Sequence, residues 1–249
     1  MNRTIQRTFE ILDYAAENPE GVCLKDITDA MNLSKSSAYV IVQSLLELGY
    51  LEPCIQNSKR YTLGVSAYTL GMQYISKIDF ISLITPELKK LTDKWNRPGF
   101  AGILKGGKTI YVNSMTPSGS LLRGWPAGTS KEAHATDIGK VIIANRPDRN
   151  ALLENLNLTK ITEHTITDKD IFLKEIQKTK KNGFALDDEE SENALTSIAV
   201  PIFDSTGIAI AAMSIMSLSS QKSDLDEIRR DLKEAAMNIS TKLGSRNLI

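Results

Sequence analysis

The stretch 32–50, NLSKSSAYVIVQSLLELGY, restricts what this chain can fold into more than any other part of it. Ser34 stands where a helix N-cap belongs, with Ser36 and Ser37 close behind. From there Ala38, Ile41, Val42, Leu45 and Leu46 recur at the i, i+3, i+4, i+7 and i+8 spacing that lines one stripe of an α-helix. The opposite face carries Ser36, Val40, Gln43 and Glu47, flanked by Ser37, Tyr39 and Ser44. Gly49 closes the helix as a glycine just past the C-cap does. Alone, this is any amphipathic surface helix. Its neighbours decide more.

Upstream, Ile5, Phe9, Leu12 and Ala16 recur at helical spacing and predict a first helix of roughly four turns, stopped by Asn18-Pro19-Glu20-Gly21. A second helix follows, with Leu24, Ile27, Ala30 and Met31 inward and Asp26 in its first turn, where the helix dipole favours an acid. A short break at 32–34 leads into the third. Three short helices with a tight break before the last match a helix-turn-helix. Downstream, two short extended pieces, 50–52 and 61–64, flank the polar segment 56–60 and predict a β-hairpin. A hairpin in that place is the wing of a winged helix-turn-helix, and it puts Lys59 and Arg60 where a wing meets phosphates.

No Pro- or Gly-rich linker follows. Residues 65–79 read as one helix with Leu70, Tyr74 and Ile78 on a side, a rigid connector, and residues 80–96 as another, with Pro86 near its start. From Arg97 the texture changes. Strand patterns at 100–104 and 109–112 flank a Lys105-Gly106-Gly107-Lys108 turn. A further strand is expected at 121–125, a helix opening at His134, and helices at 149–156 and 171–181. Strands follow at 184–187, 196–203 and 208–216, the last two joined by Asp204-Ser205-Thr206-Gly207. Ser223-Asp224-Leu225-Asp226 looks like a capping box opening a final helix. The expected class is α+β: a mostly helical winged helix-turn-helix at 1–64, a linker helix at 65–79, and a domain at 80–249 built on an antiparallel sheet.

Composition excludes some classes and leaves others. In 249 residues the formal net charge is zero, so bulk charge does not argue for nucleic acid. Cys23 and Cys54 are too few for a disulfide framework, which points to a reduced, cytoplasmic setting. The start of the chain lacks the apolar core of a signal peptide, and no run of about 18 apolar residues suits a membrane span. His134 and His164 have no cysteine near them and no metal-ligand spacing. No nucleophile elbow, P-loop or dinucleotide fingerprint is present, so neither a catalytic residue nor a cofactor is expected. The acidic run Asp187-Asp188-Glu189-Glu190 lacks the glycine-guided spacing of a calcium loop and reads as a solvated loop.

Three segments carry a resemblance. LSKSSAYVIVQSLLELGYLE resembles the recognition helix and wing entry of the IclR family of bacterial transcription regulators. AHATDIGKVIIA and GFALDDEESENALTSIAVPIFDSTG resemble that family's effector-domain signatures. The likeness runs from about Ile5 to Gly244. It implies a C-terminal GAF-like effector-binding and oligomerisation domain, dimers or dimers of dimers, and palindromic double-stranded operator DNA as partner. It also implies a ligand pocket that includes Asp137, Ile138 and Gly139 at a helix start, Asp187, Ser197, Ser214 and Met216. Free N–H groups at a helix start attract an anionic or strongly polar group. Arg123 would add a carboxylate partner if its strand faces inward.

The chain departs from the family at several of these places. Val40 stands where Arg is common, Asp137 where a small apolar residue is usual, Ser197 where Cys often stands and Ala194 in place of a usual Gly. Up to Ile75 the six basic residues Arg3, Arg7, Lys25, Lys35, Lys59 and Arg60 are outnumbered by the eight acids Glu10, Asp13, Glu17, Glu20, Asp26, Asp29, Glu47 and Glu52. Phosphate contacts need local positive charge, which Lys35, Lys59 and Arg60 would supply. Val40 would pack on a thymine methyl, Gln43 read adenine, and Ser36, Ser37 and Tyr39 meet phosphate or base edges. Asp137 and Asp187 favour a hydroxyl-rich ligand such as a sugar acid or other organic acid. The expected protein is a regulator, a repressor of a small catabolic operon, whose operator affinity follows a metabolite. A C-terminal half that only oligomerises or binds protein, or an enzyme fused to a DNA-binding domain, remain the alternatives.

Overall fold

A computed structural model describes residues 2–55, 57–76 and 79–245. The chain divides into two compact units, 1–78 and 79–249.

The first unit holds α1 (Arg3–Glu17), α2 (Leu24–Met31), α3 (Lys35–Glu47), β1 (Leu51–Cys54), β2 (Asn57–Leu63) and α4 (Val65–Ser76). Each helix is delimited by local chemistry. Asn2 caps α1 by accepting from the Thr4 amide at 2.9 Å. The Asp26 carboxylate reaches back to the Cys23 amide at 2.9 Å and opens α2. Asn32, in the left-handed region at φ 49°, turns the chain between α2 and α3. Ile11, Ala15, Val22, Ile27, Leu33, Ala38, Ile41, Val42, Leu45 and Leu51 form one core. β1 and β2 pair antiparallel, and a bridge between Val22 and Tyr61 ties the hairpin to the helices. Gly64 is fixed by that junction: a Cβ there would lie 2.2 Å from the Gly49 carbonyl oxygen.

The stripe expected on α1 is displaced. Ile11 and Ala15 are buried, whereas Ile5 and Phe9 stand 56% and 59% exposed. The apolar spacing admits either register, and the one adopted puts Ile11 and Ala15 into the core of the unit. On α4, Val65, Tyr68, Leu70 and Met72 are also exposed. Of the linker stripe expected from sequence, Ile78 lies outside the described residues.

The second unit is a three-layer sandwich. It runs α5 (Asp79–Trp95), β3 (Gly99–Lys105), β4 (Lys108–Met115), β5 (Ser130–Glu132), a 3-10 turn at Ala133–Ala135, α6 (Asp137–Ala144), α7 (Arg149–Asn155), α8 (Lys169–Asn182), β6 (Ala185–Asp188), β7 (Leu195–Phe203), β8 (Ala209–Leu218) and α9 (Leu225–Lys242). The six strands form one antiparallel sheet in the order β5-β4-β3-β8-β7-β6. Strand alternation sorts its side chains. Ile198, Val200 and Ile202 of β7 and Ala211, Met213 and Ile215 of β8 pack against α5 and α9. Ala199 of β7, Ala212 and Met216 of β8 and Phe100 and Tyr111 turn to the other face, under α6. A further cluster of Ile143, Ala144, Phe172 and Ile176 joins α6 to α8.

Two expectations are corrected. Residues 121–125 form no strand; the short edge strand β5 lies later, at Ser130–Glu132. Leu122 and Trp125 point into the core and Leu121 and Arg123 outward without any backbone ladder. Asp224 sits at the N-cap of α9 without capping it. Its carboxylate is taken by Arg97, which grips it with two hydrogen bonds of 2.9 and 2.8 Å and donates a third to Ser217 at 2.8 Å.

Candidate DNA-contacting helix and candidate ligand pocket

The face of α3 is polar and open. Ser34 caps the helix by accepting from the Ser37 amide at 3.2 Å, and its hydroxyl donates to the Ser37 hydroxyl at 2.9 Å. Lys35, Ser36, Ser37, Tyr39 and Val40 are exposed, with Val40 at 64%. Gln43 is half-buried at the edge of the same face. Lys59 is exposed on β2.

Arg60 is tied into the fold of the unit. Its Nε donates to the Gly21 carbonyl at 2.9 Å and its guanidinium bridges to Asp26 at 3.0 Å. The hydrogen bond from the Cys23 amide holds the Asp26 carboxyl below the usual carboxylate range, and Arg60 adds to that. Arg60 therefore joins hairpin, α1–α2 turn and α2.

The second site lies under α6. Thr136 is the N-cap, accepting from the Gly139 amide at 3.1 Å and lying 2.7 Å from the Thr109 hydroxyl. Gly139 allows the helix to seat on the 3-10 turn, where a Cβ would lie 2.2 Å from the Ala133 oxygen. Asp137, 2% exposed, accepts from its neighbour Ile138 at 2.7 Å and from the Ser214 hydroxyl, and Ser197 acts with Ser214 to favour its ionised form. Burial raises the Asp137 carboxyl to about 6, and the charge of Asp187 pushes the same way. Asp187 is buried too, accepting from the amides of Glu190 and Ser191 at 2.8 and 3.2 Å. Strand register explains the convergence: Asp187 pairs with Ser197, and Ser197 with Met216. Asp137, Ile138, Gly139, Asp187, Ser197, Ser214 and Met216 thus come together. Arg123 does not join them; it is exposed on a segment that is not a strand.

Other residues of the site are invisible to motif reasoning. Phe100, Tyr111 and Trp125 form an aromatic floor with ring centroids 5.1 to 5.6 Å apart. Burial raises the Tyr111 hydroxyl well above its ordinary range, as do Asp137, Asp187 and Glu192. The Lys131 ammonium lies 3.4 Å over the Trp125 ring and 3.1 Å from Glu192. Behind the floor, Lys140 is fully buried and pairs with buried Glu190. Burial pushes Glu190 up to about 7 against the pull of that ammonium, and its Oε2 has no partner among the described residues. The acidic run is therefore not a solvated loop: Asp187 and Glu190 turn inward while Asp188 is exposed. A usable signal was present in DIGKVIIA, where two charged residues sit three apart in an otherwise apolar helix. Ala194, at φ 63°, holds a left-handed conformation that glycine adopts freely.

Comparison with known proteins matches this architecture. The family described as the bacterial transcriptional regulator IclR C-terminal domain matches residues 72–241, and the IclR helix-turn-helix domain matches residues 4–53. The chain belongs to the IclR family. It carries a DNA-binding helix-turn-helix and a C-terminal effector-binding domain, as a regulator of transcription does. The HTH-type transcriptional regulator XynR of Escherichia coli is 30% identical over 246 residues, covering 97% of both chains. KdgR of the same organism is 27% identical over 97% of this chain and 92% of its own. Both relatives are named HTH-type transcriptional regulators. The crystal structure of Thermotoga maritima IclR superposes with a TM-score of 0.77 at 28% identity, covering 97% of this chain and 98% of that one. An IclR homologue from Microbacterium hydrocarbonoxydans, complexed with 4-hydroxybenzoate, shares the fold at a TM-score of 0.83 and 20% identity, over 96% of this chain and 98% of its own. Among the described residues, no helix is long and apolar enough to cross a membrane.

Proposed function

We propose that this IclR-family regulator is a repressor of a small catabolic operon, and that a small polar metabolite, a sugar acid or other organic acid, controls its hold on a palindromic operator. The single observation that carries the reading is the buried Asp137–Ser214–Ser197 cluster above an aromatic floor. A buried carboxylate kept among hydroxyls is a costly arrangement for a plain core. It suits a ligand that brings its own hydroxyls. Two relatives support the sign of regulation by name: AllR of Salmonella typhi and of Salmonella typhimurium are HTH-type transcriptional repressors.

In this reading residues 1–64 form the DNA-binding domain, 65–79 the linker helix and 80–249 the effector-binding and oligomerisation domain. Lys35 and Lys59 meet phosphates, Val40 and Gln43 face bases, and Ser36, Ser37 and Tyr39 contact the backbone or base edges. The exposed apolar residues Ile5 and Phe9 of α1 and Tyr68 and Leu70 of α4 support a homodimer, or a dimer of dimers, that presents two recognition helices to two half-sites. The ligand acts through its differential affinity for the operator-competent and operator-incompetent arrangements.

The test is selection of genomic fragments on the purified full-length protein, then gel-shift titration of the retained fragment with sugar acids, aromatic acids and small keto acids. Retention of one palindromic fragment and its release by an acid are expected. Equal retention of unrelated DNA, or affinity that no metabolite alters, sinks the reading.

A further inference from the structure

Beside the candidate site stands a cation that sequence reasoning did not place there, Lys131. Lys131 stands on the edge strand β5, opposite Thr109 of β4. Two backbone hydrogen bonds, Tyr111 to Thr129 at 3.0 Å and Gly128 to Tyr111 at 2.7 Å, lash the approach to β5 across the Tyr111 backbone. The Lys131 stem is thereby laid across the aromatic floor, its ammonium 3.4 Å over the Trp125 ring, and its side chain is only 17% exposed. Burial lowers its pKa, while Glu192, Asp187 and Asp137 act to raise it. Among the described residues its direct ionic contact is Glu192, a carboxylate whose side chain is half exposed. A largely desolvated ammonium with a solvent-facing partner is well placed to exchange that partner for a ligand's carboxylate. Asp137 is held by the Ser214 hydroxyl and the Ile138 amide, and a carboxylate oxygen has a second lone pair for a further hydroxyl donor.

Resting on the ligand-responsive reading above, we propose that Lys131 receives the carboxylate of the effector and Asp137 its hydroxyls, so that the pocket selects a polyhydroxylated aliphatic acid lying along the Phe100–Tyr111–Trp125 floor. Lys131 is then the residue that distinguishes an acid from the corresponding sugar alcohol. Asp137 distinguishes a hydroxylated acid from an unsubstituted one.

Calorimetric titration of the full-length protein tests this with D-gluconate and D-galactonate, their alditols D-glucitol and galactitol, hexanoate and 4-hydroxybenzoate. An aldonate binds at least about tenfold tighter than its alditol, in line with a charge-assisted hydrogen bond. Lys131→Met keeps the packing on Trp125 and removes that ratio; Lys131→Arg, which stacks and pairs with carboxylates, restores it. Asp137→Ala keeps the acid-over-alditol ratio and removes the preference for aldonate over hexanoate. The inference is overturned if neither aldonate binds, if hexanoate or 4-hydroxybenzoate binds as tightly, or if Lys131→Met leaves the ratio intact. Release of the operator by some other metabolite in those cases would leave the regulator reading standing, so the two fail separately.

Discussion

The two polar surfaces of this protein obey opposite rules. On α3 the polar groups face water, and apart from the N-cap serines they do little for the fold. Under α6 the polar groups are desolvated, and each satisfied one is part of the packing. A surface of the first kind can change its side chains and alter what it binds at almost no cost in stability. A surface of the second kind cannot change its ligand chemistry without changing the stability of its own domain. Stability and binding should therefore separate on α3 and move together under α6, and substitutions can break that contrast.

The largest effect is expected at Lys140. Lys140→Met leaves Glu190 buried without its partner and costs roughly 3–5 kcal/mol. Lys140→Met with Glu190→Leu replaces the pair by apolar side chains and should recover most of the loss. Urea unfolding of both variants checks this; a double variant no more stable than the single one would mean that Glu190 is held by something other than Lys140.

Asp137 gives the next effect, through pH. Its pKa rises from 3.8 to about 6 on folding. Between those values the folded protein keeps a proton that the unfolded chain has released, so stability falls as pH rises through this window and the deficit persists above 6. At full size it is about 3 kcal/mol. Asp137→Asn removes this component, while the similar slopes of Asp187 and Glu190 remain in both proteins. The difference between the two stability–pH curves should thus rise from pH 4 to pH 6 and then level off. Parallel curves would show that Asp137 stays ionised.

The contrast also explains what could be read in advance. The three N-terminal helices and the hairpins follow from periodicity and turn chemistry, because each is specified by neighbouring residues, whereas the pairing of β3 with β8 that joins two hairpins into one sheet is not. The exposed face of α3 was legible for the same reason. The register of α1 was not, since Ile5–Phe9 and Ile11–Ala15 fit a helix equally well and only the packing of the unit's core distinguishes them. At the candidate site, Asp137, Ser197, Ser214 and Met216 came from a resemblance; strand register brings Ser197, Ser214 and Met216 to one face, and the seating of α6 on that face brings Asp137 to Ser214. Lys131, Tyr111 and Trp125 were missed because their meeting depends on a short edge strand and on an irregular segment expected to be a strand. Arg123 was chosen as the pocket's cation on that wrong premise. The tie between Arg60 and Asp26 is not legible locally, because the two stand 34 residues apart.

A smaller effect belongs to Ser34. Ser34→Ala removes the N-cap of α3 and should cost about 1 kcal/mol. For a unit of this size that lowers its melting temperature by roughly 4–8 °C. The C-terminal unit should melt unchanged, and a common shift of both transitions would show that the units unfold together.

The smallest effect separates Lys59 from Arg60, adjacent on one strand and alike in charge. Arg60 is tied to Gly21 and Asp26, but its side chain is 37% exposed, so water screens the ion pair and Arg60→Ala should cost about 1 kcal/mol or less. Lys59 has no such ties in the described structure beyond its own backbone, so Lys59→Ala should leave stability within about 0.5 kcal/mol. On DNA the order reverses. If Lys59 neutralises a phosphate, its loss lowers the slope of log affinity against log salt by about 0.9 per contact, whereas Arg60→Ala leaves the slope unchanged. Gel shifts at several salt concentrations, beside urea melts of the same preparations, give both numbers for both variants. A slope that drops for Arg60→Ala and not for Lys59→Ala would mean that the guanidinium leaves Asp26 for the phosphate when DNA binds, and that the wing, like the ligand pocket, couples its binding chemistry to its own packing.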